Sequence, residues 1–458
     1  KKMANEFYKK LVMGEAVNSF FLLATKPLTL VNSFVTIGIL SFYEFGIYKL
    51  VISFQGMVSG FSINFLDNLV LNEMNVCHGE KCPEKSKSVF REYVWAKLIV
   101  GGILTTSVFF LADLISTYYG EDIAVWIRII SFLFLVENIK SLIIIFLQYR
   151  LNFFLSSFYT FAYEGIKLVL IFLLYRYREF GVTELLFLSV FTHILVIPFM
   201  LPAVIRGYVK KEEDDGMCGK TGSPLWLLMK RCGGWTVARY YLLNFSQNIR
   251  PWLIKWFLGV EAVAIFSVAV SFLGSLKSLI SFNSLKVYLP RELGNEEKMK
   301  AIVIRGGRYI TYIFVGIFIS GTVAVPLAIH FFFPKYGLSL PYFYIISISM
   351  LFFGVSTITG QILYSLRRQK ELFFTALAGL VSTVFFSVLL APRFGLYGIA
   401  GEFLFTQIAV FLLSYALLLK NRPDLRFSLR GLFVLDEYDK IFLRKWVELL
   451  KIKAGHIF

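Results

Sequence analysis

The sequence predicts an all-α polytopic membrane protein, with twelve transmembrane helices in two parallel six-helix lobes. Three observations carry that prediction. First, the 458 residues are 57% hydrophobic and 17% charged, with a mean hydropathy of +0.68; soluble domains run at roughly 45–50% apolar and about 25% charged. Second, twelve apolar runs each approach or exceed the about 20 residues needed to cross the hydrocarbon core as a helix. Third, the second six runs echo the first six.

The spans are expected near 14–39, 44–66, 93–116, 122–146, 153–175 and 183–205, then 233–257, 261–285, 308–331, 341–365, 372–391 and 396–419. Barrel strands are excluded by length and by the lack of period-2 alternation, and a bilayer admits only helices or closed barrels because its core holds no water for unpaired backbone groups. The first run is too long for the apolar core of a signal peptide, and no small-residue cleavage site follows it. Ile39 to Tyr48 closes span one and opens span two, and Phe257 to Phe266 does the same for spans seven and eight. At one constant offset Leu40 falls on Leu258, Gly46 on Ala264, Tyr48 on Phe266, Ser53 on Ser271 and Phe54 on Phe272. Phe180-Gly181 before span six echoes Phe394-Gly395 before span twelve, and Thr192-His193-Ile194 echoes Thr406-Gln407-Ile408.

Lys and Arg cluster at the N-terminus and after spans two, six, eight and ten, while the alternate loops hold only Arg176, Arg178, Lys335 and Arg393. That bias puts both termini in the cytoplasm of a multi-pass protein of the cell membrane. Six spans is an even number, so the halves enter with the same orientation and are parallel repeats, with a substrate site expected between them near the midplane. The organisation is an N-lobe (1–205), a cytoplasmic linker (206–232), a C-lobe (233–420) and a basic amphipathic tail (421–458). In the tail, Phe442, Trp446, Leu449 and Leu450 share a helical face, as in a helix lying on the inner leaflet. A net charge of +17 spread through short loops points to anionic lipid headgroups, not nucleic acid. Cys77, Cys82, Cys218 and Cys232 fall in or beside cytoplasmic segments and are expected reduced, and Cys77-His78 with Cys82 lacks a second ligand pair for zinc.

Ionisable residues within spans carry the functional argument, since each costs at least about 2.5–3.5 kcal/mol on insertion scales. Lys26 sits mid-span before Pro27, span seven carries Arg239 and Arg250, and span eight carries Lys277. Several fixed cations in a low-dielectric cavity suit a multiply charged anion such as a diphosphate or an acidic sugar; Arg offers bidentate geometry and Lys a point charge. Lys49, Arg128 and Lys255 lie near enough to an interface to snorkel. Glu137 with Lys140, and Glu164 with Lys167, are three apart and read first as intrahelical ion pairs. They read second, with Glu402, as carboxylates that exchange a partner for H+ or Na+. Asp67 reads as solvated, and His193 and His330 as packing residues. No Walker A loop, HExxH motif or nucleotide-binding domain is present, so neither an enzyme nor an ATP-driven pump is expected, and no cofactor or metal.

Three segments resemble the multidrug/oligosaccharidyl-lipid/polysaccharide (MOP) exporter superfamily, and within it the O-antigen (Wzx-type) flippases. They are Leu40 to Tyr48, Arg250 to Val263, and Ala391-Pro392-Arg393-Phe394-Gly395-Leu396-Tyr397-Gly398-Ile399-Ala400. Phe42-Tyr43 departs from the family's proline–glutamate step, and Ala264 replaces its second-half glycine. The resemblance implies a MATE-like V of two lobes, alternating access and transfer of a polyprenyl-diphosphate-linked oligosaccharide between leaflets. Lys26, Arg239, Arg250 and Lys277 would hold its diphosphate or acidic sugars. Nothing in the sequence demands more than a monomer, and the expected partners are the lipid-linked oligosaccharide, membrane lipids and other glycan-assembly membrane proteins. A multidrug exporter of the same fold would want an acidic cavity, and a glycan polymerase or ligase a large outer loop.

Overall fold

The computed structural model describes residues 2–79, 83–177, 180–209, 225, 230, 233–279, 306–366 and 368–426. Most of the linker, the tail from 427 onward, and Cys82, Cys218 and Cys232 lie outside these residues. The described chain is helical: α1 (Lys2–Ile39), α2 (Phe42–Ser59), α3 (Asp67–Gly79), α4 (Pro83–Tyr119), α5 (Ala124–Tyr149), α6 (Phe153–Tyr177) and α7 (Val182–Val209) in the first half. The second half holds α8 (Gly234–Asn248), α9 (Arg250–Leu258), α10 (Val260–Ser278), α11 (Gly307–Phe332), α12 (Leu340–Ser347), α13 (Met350–Ser365), α14 (Gln369–Phe394) and α15 (Leu396–Asn421).

Each expected span coincides with a helix or a helix pair. Among the described residues, eight helices are long and apolar enough to cross a membrane, and two bent pairs bring the number to ten. Spans one and seven complete the set as α1, apolar over Leu23–Ile39, and as α8–α9. Three spans expected to be continuous are broken. Span two bends by 54° between α2 and α3, and span ten by 48° before α13. Span seven divides at Ile249, where Pro251 occupies the first turn of α9; proline is accepted there because that N–H has no intrahelical partner.

Local sequence sets the ends. Ser41 and Glu44 form a reciprocal capping box at the start of α2. Gly259 (φ 88°) and Gly395 (φ 58°) turn the chain between consecutive helices in the left-handed region that a side chain resists.

The two halves use one packing scheme. In the first, span one packs on five, two on four, three on four, four on six and five on six; in the second, seven packs on eleven, eight on ten, nine on ten, ten on twelve and eleven on twelve. Between halves, α2 lies on α10, with further contacts of α2 on α8 and α9 and of α1 on α10. The halves meet closely at Gly46, whose Cβ position lies 2.3 Å from the Val260 carbonyl oxygen.

At the end of the bundle away from the N-terminus, one apolar cluster joins Ile37, Leu40 and Phe45 to Trp252, Phe272 and Phe333 across the halves. Nearer the other end each half keeps its own core, around Leu66, Tyr93 and Phe146 in the first and Ile358, Phe411 and Leu418 in the second. The joined end carries a matched pair of latches. The Phe34 ring packs tilted against Phe333 with centroids 5.3 Å apart, and Trp252 against Tyr119 at 4.0 Å. The offset that takes Leu40 to Leu258 takes Phe34 to Trp252. Beside the first pair, Lys335 Nζ donates to the Gly38 and Leu40 carbonyls at 2.9 and 2.7 Å. Beside the second, Lys255 Nζ donates to the Tyr119 carbonyl and lies 3.8 Å from Glu121.

Candidate functional site

Three cavities adjoin along the seam between the halves. The first, of about 290 Å³, lies among α1, α6 and α10 and is lined by Lys26, Thr29, Ser33, Thr160, Ser275 and Ser278. The second, of about 120 Å³, shares Thr29 and Ser33 with it and adds Asn32, Lys49, Glu164 and Lys167. The third, of about 200 Å³, shares Lys49 and Ser271 with the second and adds Ser53, Asn248, Arg250 and Ser267. A polar path thus runs through an apolar bundle, with Lys26, Lys49, Lys167 and Arg250 along it and Glu164 as the carboxylate on its lining.

The polar faces of α2 and α10 follow from helical spacing and the repeat together. Lys49 and Ser53 are four apart on α2, Ser267 and Ser271 four apart on α10, so each pair shares a face. The repeat offset places Lys49 on Ser267 and Ser53 on Ser271. Lys49 Nζ donates to Ser271 Oγ at 3.3 Å and lies 5.2 Å from the Phe45 ring centroid. Lys49 therefore does not snorkel to the interface, as its place near the end of span two predicts. It is seven residues into α2, about 10 Å along the axis, and turns toward the opposite lobe. The signal for it was the i,i+4 serine pair at the matched position.

In the second half the break at Ile249 makes Arg250 the first residue of α9. Its Nε and Nη2 donate to Glu402 Oε2 and Oε1 at 2.8 and 3.1 Å, a two-pronged pair. Glu402 is fully buried and also accepts from the Thr406 hydroxyl at 3.0 Å. Arg250 and Lys277 lie 4.6 and 5.4 Å from the Phe403 ring, and Lys277 is also 4.6 Å from Phe353 and 3.4 Å from Ser349 Oγ. Two predicted cations are thus gathered on one aromatic ring. Lys26 stands across the first cavity, donating to the Ser278 carbonyl. Arg239, half-buried on α8, lines none of the three cavities.

The acid–base pairs of the first half do not close as i,i+3 ion pairs. Glu164 Oε2 accepts from Asn32 Nδ2 at 2.6 Å, and Glu137 Oε1 from Gln55 Nε2 at 3.1 Å. A neighbouring helix supplies an amide to each carboxylate in place of the lysine one turn away. Lys167 lies 5.8 Å from the Tyr163 ring and Lys140 stays on the same helix as Glu137. Asn32 and Arg250, at matched repeat positions, therefore each tie an inner helix to a membrane carboxylate, one with a neutral amide and one with a cation.

Asp67, expected to be solvated, is held instead. It lies 2.8 Å from Lys97 Nζ and accepts from Ser141 Oγ at 2.8 Å and from the Tyr93 hydroxyl. Lys97, fully buried, also donates to Asn64 at 2.6 Å. This cluster pins the bend between α2 and α3 to α4 and α5. His193 packs as expected, stacked 4.1 Å from Tyr163 with Nδ1 2.9 Å from the Tyr159 hydroxyl. Among the described residues no group of His, Cys, Asp and Glu has the arrangement of a metal site.

The fold is similar to that of solved transporters. An inward-facing multidrug resistance MATE family transporter of the MOP superfamily superposes with a TM-score of 0.69 at 13% identity, over 89% of this chain and 99% of its own. The lipid II flippase MurJ, inward closed, gives 0.69 at 13% identity over 91% and 89%. A MOP superfamily transporter from Pyrococcus furiosus, described as having a binding pocket of reversed polarity, gives 0.54 at 14% identity over 89% and 94%. A search of curated proteins returns no match. A family model described as "Polysaccharide biosynthesis protein" matches residues 11–292.

Proposed function

The chain belongs to the polysaccharide biosynthesis protein family, and from that premise we propose that it is an O-antigen-type flippase. It carries a polyprenyl-diphosphate-linked oligosaccharide from the inner to the outer leaflet by alternating access between its two lobes. The observation that carries this reading is the string of adjoining cavities at the lobe seam, lined by Lys26, Lys49, Lys167 and Arg250 against Glu164. A surplus of fixed positive charge in a low-dielectric site favours an anion. It disfavours the cationic drugs of a multidrug exporter.

The roles follow from position. Lys26, in the first cavity, meets the diphosphate. Arg250, with Lys277 behind it on Phe403, offers a bidentate donor face at the far end of the path. Arg239 stands apart and serves the substrate only in another conformation. Glu402 and Glu164, with Glu137 as a further candidate, are the carboxylates through which H+ or Na+ couples to transport. Glu402 is the most direct, because protonating it releases Arg250 for the substrate. The protein acts as a monomer in the cell membrane, termini cytoplasmic, among anionic lipids and other glycan-assembly proteins.

Two measurements test this. Lys26→Glu and Arg250→Glu should each abolish surface glycan in cells while the protein still inserts; normal glycan in both sinks the cation site. Purified protein in liposomes should translocate a lipid-linked oligosaccharide faster with an ion gradient than without. Export of cationic drugs in place of that lipid would transfer the assignment to the multidrug reading.

A further inference from the structure

We infer that each latch at the joined end is counterweighted: a lysine makes bonds that exist only when the halves meet, and an aromatic donor beside that lysine is left without a partner when they do. Closure is thereby held near balance, and a small bias reverses it. The inference rests on the alternating access of the reading above, not on its substrate, and its residues line none of the three cavities.

The carrying observation is a pair of buried donors. Among the described residues, the Tyr336 hydroxyl and the Trp252 indole N–H are both buried without a hydrogen-bond partner. Tyr336 is wholly buried, and Trp252 is 5% exposed. Tyr336 lies in the short helical turn Pro334–Ser339, before α12. Its backbone N–H donates to the Phe333 carbonyl and its own carbonyl accepts from Ser339 Oγ, both at 2.8 Å, so the hydroxyl is the group left unmet. Both rings press on the other half. Tyr336 packs on Phe42 and Phe45 of α2 with centroids 4.7 and 6.0 Å apart, and Trp252 on Tyr119 at the end of α4. Each donor also neighbours a latch lysine: Tyr336 follows Lys335, and Trp252 precedes Lys255 by one turn on α9.

A buried donor left unmade costs free energy of the same order as a hydrogen bond from a charged group contributes. The lysine bonds to the Gly38, Leu40 and Tyr119 carbonyls therefore draw the end together while the two donors oppose them. Packing requires neither donor. Phe42 and Phe45 offer the Tyr336 hydroxyl no side-chain acceptor, and a phenylalanine would fill the same space. The repeat counterpart of Trp252 is Phe34, a ring without an N–H, so the fold builds one of the two latches with no indole. The aromatic surfaces packed on both rings belong to the other half, so parting returns both donors to water.

The test uses the full-length protein in nanodiscs. Ser271→Cys, on the lining of the second and third cavities, is the reporter. A thiol reagent confined to the side of the joined end is applied slowly enough that the labelling rate follows the parted population. Tyr336→Phe should slow labelling about ten-fold, the reverse of what deleting a bonded group does. It should also melt at or above the parent temperature, since the closed form is the one relieved. Replacing Trp252 by benzothienylalanine, an isostere with sulfur where the indole has N–H, should slow labelling likewise. Tyr43→Phe is the control: that hydroxyl donates to Glu121 Oε2 at 2.8 Å within the first half, so its removal should not slow labelling. Unchanged or faster labelling in Tyr336→Phe, a lowered melting temperature, or equal slowing in Tyr43→Phe would each overturn the inference. Absence of labelling in every variant, Lys255→Met with Lys335→Met included, would instead remove alternating access at this end.

Discussion

Glu402 is a fully buried carboxylate with three hydrogen bonds, two of them from one guanidinium. Removing one partner of such a pair leaves the other charge uncompensated, which costs about 3–5 kcal/mol. Glu402→Leu should therefore lower the melting temperature of the purified protein sharply, by several degrees in a thermal size-exclusion assay. Glu402→Gln keeps a hydrogen-bonding group of the same shape and should melt closer to wild type, while its transport loses dependence on the ion gradient. Gradient-dependent transport in Glu402→Gln would exclude Glu402 as the coupling group. At this scale the sequence identified which residues were charged within the membrane but not whom they faced. Glu137 and Glu164 invite an i+3 lysine by spacing alone, yet Gln55 and Asn32 reach them from another helix. Lys49 resembled an interfacial lysine because distance from a span's end carries no information about the partner helix. The echo of Ser53 in Ser271 was the part of its environment that could be read.

Helix positions were legible almost completely, because about 20 consecutive apolar residues have few other fates. Their breaks were not. Apolar composition runs unchanged through Ile348, and the polar residues beside Ser62 and Ile249 fix no bend by themselves, so only the geometry shows where spans two, seven and ten bend. Pro251 is the exception, a residue that marks a new first turn. Contact between helices follows from small residues at particular points, and this predicts a contrast between two glycines. A Cβ at Gly46 would lie 2.3 Å from the Val260 carbonyl oxygen, which is backbone and cannot rotate away, whereas nothing lies within 4 Å of a Cβ at Gly274. Gly46→Ala should force α2 and α10 apart and cost about 1–3 kcal/mol. Gly274→Ala on α10 should leave the melting temperature unchanged or slightly raised. Equal melting of the two variants would mean the α2–α10 contact is looser than drawn.

Over the described residues the repeat seen as matched letters reappears as matched packing, with the pairings of spans one on five, two on four, three on four, four on six and five on six each answered in the other half. Sequence could give that correspondence but not the relation between the halves, which depends on residues that match poorly: Lys255 and Lys335 at the joined end have no lysine at their repeat positions. Each donates charge-assisted hydrogen bonds to carbonyls of the other half. Replacing both with Met should weaken closure at that end and raise the labelling rate of a Ser271→Cys variant by a reagent confined to the side of the joined end by roughly ten-fold; an unchanged rate would show that the apolar cluster alone holds the end shut. The Gly46–Val260 contact has a mechanical consequence. It sits at the first residue of α10, eighteen residues and about 27 Å along that helix from Ser278. A pivot placed at one end leaves one long arm: a tilt that barely moves the joined end swings the far end by several ångströms. A tilt about that contact would therefore open the end near Ser278 widely while the joined end hardly parts.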